Sequence, residues 1–200
     1  MLLWRIMKLR NQYYILRHGE PVTSWHKNPK IKYSYPWPDG PAVHLSRKGI
    51  ADIRKVAESL KNKKIDIIYS SDLYRTTQTA EIVAKAINKQ IIFDKRLRDT
   101  YLANYHGHPV TDFYRDFPNL IKRFKLGPKG GESWDMVKNR VKSFIKEVDK
   151  QYKDKTILVV SHGDPLMFLI GIVDNFNNKK MLTILSENNH IKKGELRKLN

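Results

Sequence analysis

The sequence predicts an α/β fold, a mostly parallel sheet with helices on both faces. Short apolar runs alternate with amphipathic runs of helical spacing along most of the chain, the pattern of strand–helix–strand units. Three apolar runs then end in residues of unusual chemistry: Arg17-His18-Gly19, Ser70-Ser71-Asp72 and Ser161-His162-Gly163. In such sheets, sites gather at the carboxyl ends of the strands, so these endings predict where the chemistry lies.

Gln12–Arg17 (QYYILR) reads as a short apolar strand. The segment 21–44 that follows is rich in Pro, Trp and Tyr. It is long for a loop, as segments that shape a site often are. Leu45–Lys63 predicts a helix, with Ile50, Ile53, Val56, Ala57 and Leu60 at helical spacing and Ser46 as N-cap. Ile65–Ser71 is the second strand, and Asp72–Asn88 the next helix with Asp72 as its cap. Gln90–Asp94 is a third strand, and Lys95–Gly131 is less regular. Glu132–Tyr152 predicts a helix with Met136, Val137, Val141, Phe144, Ile145 and Val148 on one face. Lys155–Gly163 is the most apolar strand. Another helix opens after it, with Asp164 as cap and Pro165 at the first helical position. Met181–Asn200 adds edge strands. No repeat or compositional break divides the 200 residues, so we expect a single domain over 1–200.

With 40% hydrophobic and 10% aromatic residues, the chain is globular rather than disordered. It has no cysteine, which removes disulfides and thiolate metal sites and suits a reducing compartment. The start, MLLWRIMKLR, is interrupted by Arg5 and does not read as a signal peptide. The run Pro165–Val173 is too short to span a bilayer. The expectation is a cytoplasmic protein with no membrane partner. The net charge of +18 invites an anionic partner. Yet the lysines are scattered (KNKK, NNKK, IKK) and lack interleaved aromatics, which argues for a lysine-rich surface and against a nucleic-acid partner.

A single histidine at a strand end is ordinarily a loop residue. Two of them, His18 and His162, at equivalent places on two strands suggest a site. Arg17 adds a fixed cation, and Arg75 lies about one turn into the helix after the second strand. Two arginines and two histidines at one sheet edge make a phosphate-sized cationic pocket. The helix beginning after His162 adds backbone donors and a favourable dipole. Neutral imidazole is a competent nucleophile toward phosphorus if one ring nitrogen is unprotonated and the other donates to a carbonyl. Gly19 allows a tight turn that supplies such an acceptor. The leaving oxygen then needs a proton from a nearby carboxylic acid.

The segments LRHGE (Leu16–Glu20), LSRKG (Leu45–Gly49), SSDLYRTTQTAEIV (Ser70–Val83), RLRD (Arg96–Asp99), GGES (Gly130–Ser133) with NRV (Asn139–Val141), and VVSHGDP (Val159–Pro165) occur in this order. Over nearly its whole length the chain resembles the histidine phosphatase superfamily, in the branch that includes cofactor-dependent phosphoglycerate mutases. That resemblance implies a three-layer α/β/α sandwich of phosphoglycerate mutase-like fold. It implies His18 as the nucleophile that becomes phosphohistidine, and Arg17, Arg75 and His162 as the residues stabilising the transferring group. Asp99 falls where the family commonly has a glutamate, the proton donor. Ser24 falls where many members carry a phosphate-touching asparagine, and Gly163 opens the helix beside the phosphate. No cofactor and no metal are implied.

The sequence also departs from the pattern. Asp99 is one methylene shorter than glutamate, and its reference pKa of about 3.9 must rise, through burial or neighbouring negative charge, for it to donate at neutral pH. In DTYLANYHG, Ala103, Tyr105 and His106 replace Gly, Trp and Glu. Glu20 and His106 are the next nearest candidates for the acid. His106 and His108 resemble a metal pair, but no carboxylate or cysteine cluster accompanies them. Between Gly107 and Gly130 the chain lacks the long insert expected of mutases. A phosphatase acting on a phosphorylated small molecule or phosphoprotein is therefore expected. Phosphoglycerate mutase-type transfer and a catalytically weak polyanion-binding protein are the alternatives. Lys122, Arg123 and Lys125 read as a solvated face, and Trp25, Tyr33, Tyr35 and Trp37 as aromatics packing the long loop against the body.

Overall fold

The computed structural model describes residues 7–24, 26, 28, 30–186 and 190–200. The first six residues and Trp25 lie outside them, so the expectation for the chain start and for that aromatic is not addressed. Among the described residues five strands form one sheet: β1 (Gln12–Arg17), β2 (Ile67–Ser70), β3 (Ile91–Phe93), β4 (Thr156–Ser161) and β5 (Leu196–Lys198). Their order is β3-β2-β4-β1-β5. The first four run parallel, and β5 pairs antiparallel with β1. Among the described residues the helices are α1 (Arg47–Leu60), α2 (Tyr74–Ile87), α3 (Val110–Asp116), α4 (Trp134–Gln151), α5 (Gly163–Val173) and α6 (Asn178–Ser186).

The central strand β4 shows why helices lie on both faces. Its side chains alternate with period two. Ile157 and Val159 enter one core cluster with Val141 and Phe144 of α4 and Phe168 of α5. Leu158 and Val160 enter the other, with Ile53 of α1 and Val83 of α2. All nine side chains named here are fully buried, each stabilising the fold by about 1.5–3 kcal/mol relative to exposure. A strand buried on both faces must be apolar throughout, which is why β4 is the most apolar run in the sequence.

Helix starts divide into those the local sequence explains and those it does not. Ser46 caps α1, accepting from Gly49 N at 3.0 Å, and Ser133 caps α4, accepting from Met136 N. Asp72 does not cap α2. Its carboxylate is drawn away to Arg98, receiving Nε at 2.6 Å and Nη2 at 2.5 Å. Asp39 takes the capping place from 35 residues away, accepting from Tyr74 N at 2.7 Å. Asp164 is not the cap of α5 either: the helix begins at Gly163 directly after β4, which puts Asp164 second and Pro165 third. Met136 leaves the predicted apolar face and is 53% exposed. Among the described residues of the tail, only Leu196–Lys198 forms a strand, while Met181 belongs to α6 and seats against Gly171 of α5. No helix among the described residues is long and apolar enough to cross a membrane.

Candidate active site

The parallel register brings three strand ends to one level. Arg17 lies opposite Ser161, and Ser70 opposite Val160. The ladder continues one step past each end, with His18 N donating to Ser161 O and Ser71 N to Val160 O, both at 3.0 Å. His18, Ser71 and His162 therefore emerge side by side.

His18 is almost wholly buried. Its Nδ1 donates to Gly19 O at 2.8 Å, which puts the ring proton on Nδ1 and leaves the lone pair on Nε2. Burial, reinforced by Arg75 and Arg17, pushes His18 well below the ordinary imidazole range, so the ring is neutral at physiological pH. Gly19 is held in turn: its N–H donates to Thr79 Oγ1 at 3.0 Å, and that hydroxyl donates to Arg75 O. The need for glycine here is one of packing. A Cβ at position 19 would meet Ile53 Cγ1 of α1 at 2.8 Å and Gly49 O at 3.2 Å.

Arg75, in the first turn of α2, is also buried. Its Nε points to His18 Nε2 at 3.4 Å, its Nη2 donates to Asp99 Oδ2 at 2.9 Å, and its Nη1 donates to Asp39 Oδ2. The Tyr35 ring covers the guanidinium at 4.3 Å and meets the His18 ring edge-on at 6.2 Å.

His162 follows β4, with its ring centroid 5.3 Å from that of His18. Leu73 N donates to Ser71 Oγ, and that hydroxyl lies 2.9 Å from His162 Nε2. A serine that donates onward to Nε2 completes this chain and leaves the proton of His162 on Nδ1. Burial first, then Arg75, His18 and Arg17, push His162 well below the ordinary range, so it too is neutral. Its Nδ1 and the Nε of Arg17 are buried polar atoms without a hydrogen-bond partner among the described residues. Buried donors left unmatched are costly, and an anion with several oxygens is the natural partner for two of them flanking one ring.

Asp99 stands on the other side, its Oδ2 3.8 Å from His162 Nδ1 and its carboxyl side chain 30% exposed. Its loop is fixed twice. Arg140 of α4 donates from Nη2 to Asp99 O at 2.8 Å, and Thr100 Oγ1 donates to Asp164 Oδ2 at 2.8 Å. Burial and the charge of Asp99 push the Asp164 carboxyl up. Arg17 Nη1 donates to Ile191 O at 2.9 Å and lies 3.2 Å from His190 Nδ1, which is itself 3.1 Å from Ile191 O. Gly163 makes room for that pair, since a Cβ there would sit 2.5 Å from His190 Cε1 and 3.3 Å from Arg17 Cζ.

The structure thus brings together His18, Arg17, Arg75, Asp99, His162 and Gly163. Ser24 is different: it is exposed in a turn of the long loop. Glu20 is exposed beside Lys48, at 3.9 Å. His106 has both ring nitrogens committed, Nε2 accepting from Leu102 N and Nδ1 donating to Tyr35 O, and it stacks on Trp37 and Tyr101. Those bonds fix a loop and leave neither nitrogen for a metal or a substrate proton. Among the described residues no group of three or more His, Asp or Glu side chains is placed to hold a metal ion. Arg123 is a packing residue, buried with its Nε donating to Phe117 O and its guanidinium over Phe113 and Tyr114. Sequence reasoning missed Asp39 and His190. Neither carries a local signal, because each acts on an arginine far away in the chain.

The family model described as histidine phosphatase superfamily (branch 1) matches residues 13–197. The chain is 32% identical over 157 residues to phosphoglycerate mutase-like protein 4 of Arabidopsis thaliana, covering 74% of this chain and 65% of that protein. It is 35% identical over 127 residues to phosphoserine phosphatase 1 of Hydrogenobacter thermophilus, covering 61% and 60%. The matches thus span slightly less than two thirds of either relative. The fold matches a mycobacterial glucosyl-3-phosphoglycerate phosphatase with a TM-score of 0.74 at 21% identity, over 92% of this chain and 88% of that one. By the family match across nearly all of its length, and by its sheet with helices on both faces, the chain belongs to branch 1 of the histidine phosphatase superfamily.

Proposed function

We propose that this protein is a phosphomonoesterase that works through a phosphohistidine on His18. The observation that carries the reading is the state of that ring: buried, neutral, with its proton held on Nδ1 by Gly19 O and its Nε2 lone pair beside Arg75. In the first step Nε2 bonds to phosphorus while the bond from phosphorus to the ester oxygen breaks. Arg17, Arg75 and His162 donate to the phosphoryl oxygens. Asp99 gives the departing oxygen its proton. In the second step water bonds to phosphorus, the phosphorus–nitrogen bond breaks, and Asp99 takes the proton from water. Inorganic phosphate leaves and the enzyme is restored.

In the resting site Asp99 accepts a hydrogen bond from Arg75. An arriving phosphate competes for that donor and brings negative charge beside Asp99.

Water rather than a second hydroxyl is the proposed acceptor. Between Asp99 and α4 the chain builds only 3-10 turns and the seven-residue α3, a sparse cover for a site that must exclude water. The nearly inaccessible ring of His18 favours a small phosphomonoester over a phosphorylated protein surface.

The test is hydrolysis of a chromogenic phosphomonoester by wild type and His18→Ala across pH 5–8. Release of phosphate by the wild type alone supports the reading. An inactive wild type that binds nucleic acid with steep salt dependence would replace it with a polyanion binder. Isomerisation of a phosphoglycerate faster than its hydrolysis would replace it with a mutase.

A further inference from the structure

We propose that Asp39 is a positioning residue for phosphoryl transfer, fixing Arg75 from behind so that its remaining donors face His18 and the substrate. The inference rests on the reading of Arg75 as a phosphate ligand. Asp39 lies in the long loop after β1, outside every strand-end motif. Its carboxylate has no solvent exposure, and the Arg75 side chain has 1%.

The carboxylate does two jobs with separate oxygens. Oδ1 accepts from Tyr74 N at 2.7 Å, which caps α2. Oδ2 accepts from Arg75 Nη1 and, at 3.4 Å, from Arg75 N. Capping needs one oxygen and no charge, so Ser or Asn would serve. The second oxygen and the negative charge act chiefly on the guanidinium, the backbone N of Arg75 being the more distant partner at 3.4 Å.

The same loop segment supplies Tyr35, whose ring lies over the guanidinium at 4.3 Å. Arg75 is therefore restrained on one edge by Asp39 and on one face by Tyr35. Of its donors, Nε is left toward His18 Nε2 and Nη2 toward Asp99, the partly exposed side from which a phosphate can compete. Asp39 touches neither the nucleophile nor the acid. It acts through Arg75, and small misplacements of a group that stabilises a transition state are costly, on the order of a hundredfold for about 1 Å.

The experiment measures kcat and KM for Asp39→Asn and Asp39→Ser, each of which keeps a capping oxygen, in wild-type and Arg75→Gln backgrounds, with thermal unfolding as a check on folding. In the wild-type background kcat should fall by roughly ten- to a hundredfold, with KM moving less than about threefold. In the Arg75→Gln background the same substitutions should cost less than about twofold, because the group they position is gone. Equal losses in the two backgrounds, or no loss of kcat, would overturn the proposal. So would failure of both variants to fold: both keep the capping oxygen, so the buried charge of Asp39 would then be needed for folding itself rather than for placing Arg75. An inactive wild type would remove the phosphatase reading itself, whereas an active wild type indifferent to Asp39 removes only this inference.

Discussion

The Nδ1 of His18 donates to the carbonyl oxygen of Gly19 at 2.8 Å, and this bond decides which ring nitrogen keeps its lone pair. A substitution that removes the ring should leave binding groups in place and eliminate the covalent step. For His18→Ala we expect kcat to fall by about four orders of magnitude or more. Acid-labile, alkali-stable radiolabel should accumulate on the wild type after rapid quenching with a labelled substrate, and none on the variant. A variant that retains label would move the nucleophile elsewhere.

The two buried histidines also make stability depend on pH. His18 and His162 are both held well below the usual imidazole value of 6.5, chiefly by burial. The unfolded chain therefore binds protons near pH 6.5 that the native chain refuses. Stability is fully present above that pH and falls as pH drops toward the folded-state values. Each proton contributes up to about 1.4 kcal/mol per pH unit. Urea unfolding between pH 5 and 7.5 should show this slope, and His162→Asn should make it shallower. An unchanged slope would mean that His162 is not held neutral.

Asp99 should matter in proportion to how much the leaving group needs a proton. Asp99→Asn is expected to slow release of an alkoxide by about a hundredfold and of a nitrophenolate by only a few fold. Parallel kinetics with a sugar phosphate and nitrophenyl phosphate check this. Equal slowing of both would take Asp99 out of the acid role and leave it as a partner of Arg75.

Gly163 couples phosphate binding to catalysis through its neighbours. A Cβ there would lie 2.5 Å from His190 Cε1 and 3.3 Å from Arg17 Cζ. Gly163→Ala must displace one of them, at a cost of about 1–3 kcal/mol of overpacking. If Arg17 holds the phosphate as proposed, inhibition by inorganic phosphate should weaken along with catalysis. Native phosphate inhibition would mean that His190, the closer contact, yields and leaves Arg17 in place.

Asp149 gives a prediction with no active-site content. Its carboxylate accepts from Arg10 N at 3.0 Å, Asn11 N at 3.2 Å, Asn11 Nδ2 at 3.1 Å and Tyr13 OH at 3.2 Å, tying α4 to the start of β1. Asp149→Ala strands these donors and should cost about 3 kcal/mol in urea unfolding. KM should stay unchanged, and a large change in KM would mean that β1 shifts as a whole.

The sequence by itself determined the sheet, most helices and the residues that meet at its edge. Hydrophobic period is a local property, so β4 and the amphipathic faces of α1 and α4 could be read from neighbours in the chain. His18 and His162 were legible for the same reason, since parallel strands must end on one side. Ser46 as a cap was legible because capping by the preceding residue is local, and Asp72 was misread because its charge found Arg98 in a later segment. Only the tertiary structure decided what holds the two arginines. Asp39 reaches Arg75 across 36 residues and His190 reaches Arg17 across 173. Such pairings depend on how loops return to the sheet. A buried guanidinium requires a partner, but its own sequence neighbourhood does not say which distant residue provides it.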